Sequence, residues 1–223
     1  MREFPHHPCV TDGTEASVVA AVDLDLVYDS GGGPRVDPHP FPHFIWDAVY
    51  RPEVAQSILS WLQAFPGWEG REQPHWKASA FALKPTDVPT SLQPVFSATS
   101  LRFLRTRMEE AYSRPFDNAI KVEAYRHGRG DQTTIHTDYE PGKTVFTHRL
   151  ITYFADPSDE VGGGDLRLFE EGSSGPVEAR RYAATHNLAS SLEFGPSSFH
   201  QVAAVTRGLR YSLVWSFTAN APA

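Results

Sequence analysis

Two segments of the chain repeat their apolar residues with the period of an α-helix. The first runs from Pro52 to Phe65, where proline suits the opening turn and Pro66–Gly67 ends the pattern. The second runs from Ser100 to Tyr112. The apolar stripes are Val54, Ile58, Leu62 and Phe65 in the first segment, and Leu101, Leu104, Met108 and Ala111 in the second. The pattern predicts two amphipathic helices.

Elsewhere the pattern is that of short strands. Alternation over Val18–Tyr28 and the apolar run Phe41–Trp46 predict two early strands, and the proline-rich stretch Gln73–Pro94 is interpreted as a loop. After Pro115 the helical period disappears. Strand-like runs follow at Ile120–Arg126, Thr133–Thr137, His148–Ala155, Leu166–Glu170, Glu178–His186, Ser191–Phe194, Phe199–Ala204 and Leu209–Phe217. About eight short strands and two helices predict a mainly β fold of the α+β type, a sandwich or barrel with helices packed on one face.

Size and charge narrow the function classes. The chain has 223 residues and a formal net charge of −7, which argues against a nucleic-acid backbone as the main partner. Arg102, Arg105 and Arg107 cluster at helical spacing and are interpreted as a solvated helix face.

No apolar run approaches the length of about 18 residues needed for a membrane span, and residues 1–10 lack the apolar core of a signal peptide. We expect a cytoplasmic protein without a membrane partner. The single cysteine, Cys9, cannot form an internal disulfide and is interpreted as passive.

The segment Thr134–Tyr139 carries candidate metal ligands. His136 and Asp138 are two residues apart, so a strand would present their imidazole and carboxylate on the same face. Two histidines and one carboxylate on one face of an octahedron form the facial triad of non-haem iron(II) oxygenases. The His-x-Asp pair alone is a weak signal, and a third ligand must come from elsewhere.

The last two predicted strands add a second histidine and a candidate anion site. His200 lies early on the first of them, and Arg210 lies on the second, after the turn at Arg207–Gly208. Arg210 shares its face with Ser212 in an otherwise apolar strand. A guanidinium beside a hydroxyl suits a carboxylate, which it can bind through two parallel hydrogen bonds. A structural salt bridge is the alternative for Arg210.

Taken together, these residues resemble the 2-oxoglutarate/iron(II) dioxygenases, and especially their prolyl-4-hydroxylase-like branch. That family has His-x-Asp, a distal histidine, then Arg or Lys about ten residues later and a small hydroxyl residue. His136, Asp138, His200, Arg210 and Ser212 fit this order. Three further segments are similar to segments of that family: Arg149–Phe154 to its central strand, Gly163–Leu166 to its Gly-Gly-x-Leu hairpin and Phe41–Phe44 to its first segment. The resemblance thus covers roughly residues 41–218.

The resemblance implies a double-stranded β-helix, or jelly roll, formed by one domain over residues 41–220, with residues 1–40 as an extension. It implies iron(II) held by His136, Asp138 and His200, with 2-oxoglutarate and dioxygen as co-substrates. The distal carboxylate of 2-oxoglutarate would meet Arg210 and Ser212, and Tyr125 would donate a further hydrogen bond. Because Asp138 occupies the position that is Gly or Ala in related halogenases, hydroxylation is expected, while desaturation or ring closure stays open.

Four residues are candidates for contact with the organic substrate. Glu123 shares a face with Tyr125 and would bind a cationic group, with a plain salt bridge as the alternative. His75, Trp76 and His148 flank predicted pocket regions, with core or surface roles as the alternatives. His43, His127 and His186 are interpreted as structural or surface residues.

Two function classes remain. An oxygenase would act on a small molecule, an amino acid or a related metabolite, or alternatively on a residue in a protein or peptide. The chain is small and shows no obvious second domain on which a protein substrate could dock, which favours the small molecule. A non-catalytic metal- or sugar-binding jelly roll is the other class, and the complete ligand set with Arg210 argues against it. The oligomeric state is not predicted.

Overall fold

The computed structural model describes residues 22–29, 31, 33–142, 145–159 and 161–220. The described chain contains helices α1 (Pro52–Ala64) and α2 (Ala98–Tyr112) and short 3₁₀ helices at Leu24–Leu26, Pro85–Asp87 and Thr90–Phe96. Its strands are β1 (His43–Trp46), β2 (Glu69–Gln73), β3 (Trp76–Ala82), β4 (Lys121–His127), β5 (Gln132–Thr133), β6 (His148–Ala155), β7 (Gly162–Gly163), β8 (Leu166–Gly172), β9 (Gly175–Tyr182), β10 (Ala189–Glu193), β11 (His200–Val202), β12 (Val205–Arg207) and β13 (Arg210–Phe217).

The strands form one large sheet and two small ones. The large sheet has the order β1-β10-β6-β13-β4-β3-β2, with β5 paired to β3, and every pairing in it is antiparallel. A three-stranded sheet, β11-β8-β9, faces it, and β12 and β7 form a two-stranded ribbon. The mainly β fold with helices on one face is confirmed, and its curled, two-layered sheet is a double-stranded β-helix.

The two faces of the large sheet have different partners. The outer face contributes Leu150, Phe154, Leu213 and Trp215 to the main apolar core, together with Leu59 of α1, Leu104 of α2 and their neighbours. The inner face looks toward the small sheet, where a second cluster holds Leu166, Leu168, Leu192 and Phe194, with Ile151 packed against it. The remaining inner positions, near the centre of β4, β6 and β13, carry polar side chains that form the candidate site.

Both predicted helices are confirmed within two residues at each end. Pro52 lies in the first turn of α1, and Ile58 and Leu62 of its apolar stripe are fully buried, as is the adjacent Leu59. The side chain of Ser97 caps α2 by accepting a hydrogen bond from the backbone N–H of Ser100 at 3.2 Å. No helix in the described ranges is long and apolar enough to cross a membrane.

Two predictions about the first half of the chain are wrong. Of the strand predicted over Val18–Tyr28, residues 18–21 lie outside the described chain, and Leu24–Leu26 form a 3₁₀ helix capped by the side chain of Asp23. The predicted loop Gln73–Pro94 contains β3, a strand of the large sheet, and two 3₁₀ helices. Alternate positions of β3 are the small residues Ala78 and Ala80, so hydrophobic alternation gives little signal there although both are buried.

Candidate active site

The predicted metal ligands converge on one point between the two layers. Nε2 of His136 lies 3.9 Å from one carboxylate oxygen of Asp138, and Nε2 of His200 lies 3.4 Å from the other. One ligand atom from each of the three residues falls within 4.8 Å of the others. Two imidazole nitrogens and one carboxylate oxygen at this separation suit a first-row divalent metal.

Backbone pairing, rather than a regular strand, places these ligands. The strand predicted over Thr133–Thr137 is limited to Gln132–Thr133 of β5, and His136 then forms an isolated bridge to His200. Each residue donates its backbone N–H to the other's carbonyl, at 3.1 and 2.9 Å. This pairing sets the two imidazole rings side by side, with centroids 4.4 Å apart.

Both histidines present the same ring nitrogen to the site. Nδ1 of His136 lies 2.8 Å from the carbonyl oxygen of Thr134, and Nδ1 of His200 lies 2.9 Å from that of Ser198. A carbonyl only accepts hydrogen bonds, so each Nδ1 carries the proton and each Nε2 keeps its lone pair for a metal. The residues therefore fit a metal on the chemistry of the donor set and on its second-shell hydrogen bonds.

Arg149 holds the carboxylate of the triad. Its Nη1 donates to Oδ2 of Asp138 at 2.5 Å, and its guanidinium lies over the ring of Phe194, 5.2 Å from the ring centroid. Burial alone would raise the pKa of the Asp138 carboxyl, but Arg149 and the two histidines outweigh it and hold that pKa well below its usual range. Asp138 is therefore ionised, as a metal ligand requires.

Arg210 lies deeper between the layers as a buried cation. It is 2% exposed, and in the described chain its Nε and Nη1 have no hydrogen-bond partner. Its guanidinium lies 4.8 Å from the centroid of the Tyr153 ring. Burial lowers the pKa of Arg210, but a guanidinium stays charged in proteins. A buried guanidinium with two nitrogens left without hydrogen-bond partners is costly, and an anionic ligand that accepts from them removes the cost.

Hydroxyl groups line the sheet beside Arg210. Ser212, buried, lies opposite Tyr125 on β4 and opposite Tyr153 on β6. Burial, followed by the charge of Glu123, raises the pKa of Tyr125 to about 12, so its phenol keeps its proton and can donate. The Arg210 guanidinium and these hydroxyls are donors that fit a carboxylate.

Comparisons with known proteins agree with this architecture. No protein-family model and no curated protein match the sequence. Among solved structures, a prolyl-4-hydroxylase from Pseudomonas putida superposes with a TM-score of 0.63 at 14% identity, covering 80% of this chain and 93% of that one. An oxidoreductase of the 2OG-Fe(II) oxygenase family from Burkholderia pseudomallei gives 0.58 at 13% identity, covering 79% and 85%. This chain has the prolyl-4-hydroxylase fold.

A third similar structure with the prolyl-4-hydroxylase fold was solved with a peptide. It is a prolyl hydroxylase from Trichoplax adhaerens in complex with a peptide fragment of the hypoxia-inducible factor oxygen degradation domain. It gives a TM-score of 0.56 at 11% identity, covering 79% of this chain and 83% of that one. At these identities the likeness establishes the fold, and the chemistry rests on the side chains.

Three of the four predicted substrate-binding residues lie at the site. The ring of His75 lies 6.4 Å from that of His136, and Trp76 lies edge-on to Tyr125, with centroids 6.4 Å apart. Glu123 is 8% exposed on the inner face, where its carboxylate accepts from Nζ of Lys121 at 3.1 Å. The salt bridge that was the alternative for Glu123 is thus present, and its role in substrate binding stays a prediction.

His148 lies on the other side of the sheet. It is fully buried against the rings of Tyr112 and Phe116, with centroids 4.4 and 4.8 Å away. Since residues of a strand alternate between faces, its neighbour Arg149 points inward while His148 points to α2. The expected substrate contact by His148 is therefore wrong, because the residue packs in the core.

Three inner-face residues have contacts that were not predicted from the sequence. Arg149 pairs with Asp138, Tyr153 lies under Arg210, and His127 lies directly opposite Arg210 across the β4–β13 ladder. The available signal was strand periodicity. Arg149 and Tyr153 share one face of β6, and His127 shares a face of β4 with Tyr125.

Proposed function

We propose that the protein is an iron(II)- and 2-oxoglutarate-dependent oxygenase that hydroxylates an unactivated C–H bond. The observation that carries the proposal is the pairing of two sites between the same layers. One is a two-histidine, one-carboxylate set with free Nε2 lone pairs, and the other is a buried guanidinium with unpaired N–H groups. A metal that keeps open positions and a dicarboxylate that bridges the two sites account for both.

Each residue then has a defined task. His136, Asp138 and His200 would hold the iron, and Arg210 with Ser212 and Tyr125 would bind the distal carboxylate of 2-oxoglutarate. Bound iron(II) supplies the oxidation of substrate by dioxygen, coupled to decarboxylation of 2-oxoglutarate to succinate. The chain's own contribution is to orient the ligands through the Thr134 and Ser198 carbonyls and to keep the distal pocket dry.

Asp138 favours hydroxylation over halogenation. The Asp138 carboxylate would take a position on bound iron that a chloride ion would otherwise need, and Arg149 holds this carboxylate in place at 2.5 Å. With this ligand set, bound iron would supply hydroxylation of the substrate. Desaturation and ring closure need the same ligand set and are distinguished by the mass of the product.

For the substrate we propose a small molecule with a cationic group, such as an amino acid or a related metabolite. Glu123 supports this through its buried carboxylate on the inner face, where a cationic group of the substrate would share it with Lys121. A residue in a protein or peptide is the alternative, favoured by the peptide in the similar prolyl hydroxylase structure from Trichoplax adhaerens. Coupled turnover with amino acids and with proline-containing peptides separates the two candidates.

The testing experiment is succinate release from 2-oxoglutarate under air with added iron(II). The expected result is succinate from the wild type, none without iron and none from His200→Ala. Arg126→Ala is a matched control, because Arg126 lies on the same strand as Tyr125 but on the outer face, over the ring of Trp68. A non-catalytic metal-binding jelly roll would release no succinate in any of these mixtures.

A further inference from the structure

The deep end of the pocket holds a second buried nitrogen donor beside Arg210. His127, at the end of β4, is the cross-strand partner of Arg210. Side chains directly opposite each other in an antiparallel pair have Cβ atoms about 4.5–5.5 Å apart. His127 is 5% exposed, and its Nδ1 has no hydrogen-bond partner in the described part of the chain.

One cross-strand pair on the inner face therefore carries three nitrogens without a hydrogen-bond partner among the described residues: Nε and Nη1 of Arg210 and Nδ1 of His127. Buried polar groups in folded proteins nearly always have partners, and each unpaired one needs an explanation. A cluster of three such nitrogens is the arrangement expected of a binding site for an anion. An anion with two oxygens would satisfy all three.

His127 reaches this site as a neutral donor. Burial, followed by the charge of Arg210, lowers the pKa of His127 to about 3, so the imidazole is uncharged at neutral pH. A neutral imidazole carries one N–H, and beside a carboxylate the tautomer with the proton on Nδ1 is favoured. Arg210 supplies the charge and His127 adds a directional hydrogen bond without a second buried charge.

The ring position fits a ligand that runs along the sheet. His127 and Tyr125 lie on the same face of β4 with their rings roughly parallel, 24° between planes and 6.3 Å between centroids. Tyr125 lies opposite Ser212, and His127 lies opposite Arg210, one step further from the residues that hold the metal site. His127 is thus level with the far end of the ligand.

We propose that His127 binds the distal carboxylate of the 2-oxo dicarboxylate co-substrate together with Arg210. The inference rests on the proposed function and deepens it. It makes His127 a determinant of co-substrate choice, selecting 2-oxo acids with a distal carboxylate over those that end in a methyl group. A histidine that merely filled the core would not distinguish the two.

The test is calorimetric titration of manganese(II)-loaded protein with two ligands, 2-oxoglutarate and 2-oxopentanoate. The second has the same chain length but lacks the distal carboxylate. For His127→Leu we expect about tenfold to hundredfold weaker binding of 2-oxoglutarate, the usual effect of losing a hydrogen bond to a charged group. Binding of 2-oxopentanoate should be unchanged, which also verifies that the variant is folded.

Two conservative variants sharpen the comparison. The amide nitrogen of Asn occupies nearly the position of Nδ1, so His127→Asn should retain most of the wild-type preference for 2-oxoglutarate. His127→Gln places its amide beyond that position and should resemble His127→Leu, which it replaces if the leucine variant does not fold. His148→Asn, at a buried histidine on the outer face, is the matched control and should leave the preference unchanged.

The outcomes separate this inference from the function on which it rests. If the wild type binds 2-oxoglutarate and the His127 variants keep its affinity, the inference is overturned and the proposed function stands. Equal weakening of both ligands would assign His127 a structural role and would also overturn it. A wild type that binds neither ligand would overturn the inference together with the proposed function.

Discussion

Replacing Arg149 by Met should weaken metal binding although Arg149 is not itself a metal ligand. The guanidinium holds Oδ2 of Asp138 at 2.5 Å, while the nearby carboxylate of Glu123 is held by Lys121 at 3.1 Å. Met retains an unbranched stem that can lie against Phe194 while removing the charge and the hydrogen bond. Without them the carboxylate gains rotational freedom and a higher pKa.

The magnitude follows from the geometry. Removing an outer-shell partner of a metal ligand typically lowers metal affinity about tenfold to a hundredfold, equivalent to roughly 1.4–2.7 kcal/mol. The short contact and the partly buried location of Arg149 place this variant toward the upper end of that range. Arg149→Lys keeps the charge without the planar fork and should fall between Met and the wild type.

The assay is competition of each variant with a chelator of known manganese(II) affinity, at fixed pH. Arg126→Met is the matched control, because that arginine lies on the outer face over Trp68 and should leave metal affinity unchanged. Wild-type metal affinity in Arg149→Met would refute the reasoning. A loss of 2-oxoglutarate binding at saturating metal, with metal affinity intact, would instead make Arg149 an anchor of the co-substrate.

Three further predictions concern Gly164 beside Arg210, the buried histidine His148 and the reaction product. Gly164→Ala should weaken 2-oxoglutarate binding in calorimetry, because the backbone φ there is +72° and the added Cβ would lie 3.3 Å from Cδ of Arg210. Unchanged affinity would contradict this prediction. Burial, followed by Arg114, lowers the pKa of His148 to about 3, below its unfolded value near 6.5, so stability is lost as pH falls through this window. The loss should be about 2 kcal/mol at pH 5 in urea unfolding, and His148→Gln should flatten the dependence, whereas an equal slope would contradict it. In chloride buffer the wild-type product should gain one oxygen by mass spectrometry, Asp138→Gly should be inactive as a hydroxylase, and a chlorinated wild-type product would contradict the account.

Strong periodicity accounts for the parts of the fold that the sequence predicted well. The α1 and α2 stripes and the strand His148–Ala155 were located closely because each buries large apolar residues at regular intervals. The strand over Trp76–Ala82 was missed because alanines carry its inner face. The early 3₁₀ helix was read as a strand because Asp23 and Asp25, which alternate with apolar residues, belong to a cap and a turn.

The candidate site could be predicted as far as residue types and their order along the chain identify its members. His200 is far from His136 and Asp138 in sequence, and its convergence with them depends on the His136–His200 bridge, which no local pattern reveals. For Arg149 and His127 strand periodicity gave only the face of the sheet, since their contacts also depend on which strand lies opposite. His148 was predicted to face the pocket, but it lies on the outer face of β6 and its neighbour Arg149 faces inward, because successive residues of a strand point to opposite faces.

Metal-dependent binding of 2-oxoglutarate tests the central claim most directly, since it needs no knowledge of the organic substrate. Anaerobic calorimetry on iron(II)-loaded protein should give one 2-oxoglutarate per chain, with binding strongly weakened without metal or in His200→Ala. In Arg210→Ala the affinity should fall by about thirtyfold or more, as expected when one partner of a buried charge pair is removed. Binding that is absent in the wild type, or indifferent both to metal and to Arg210, would contradict the account.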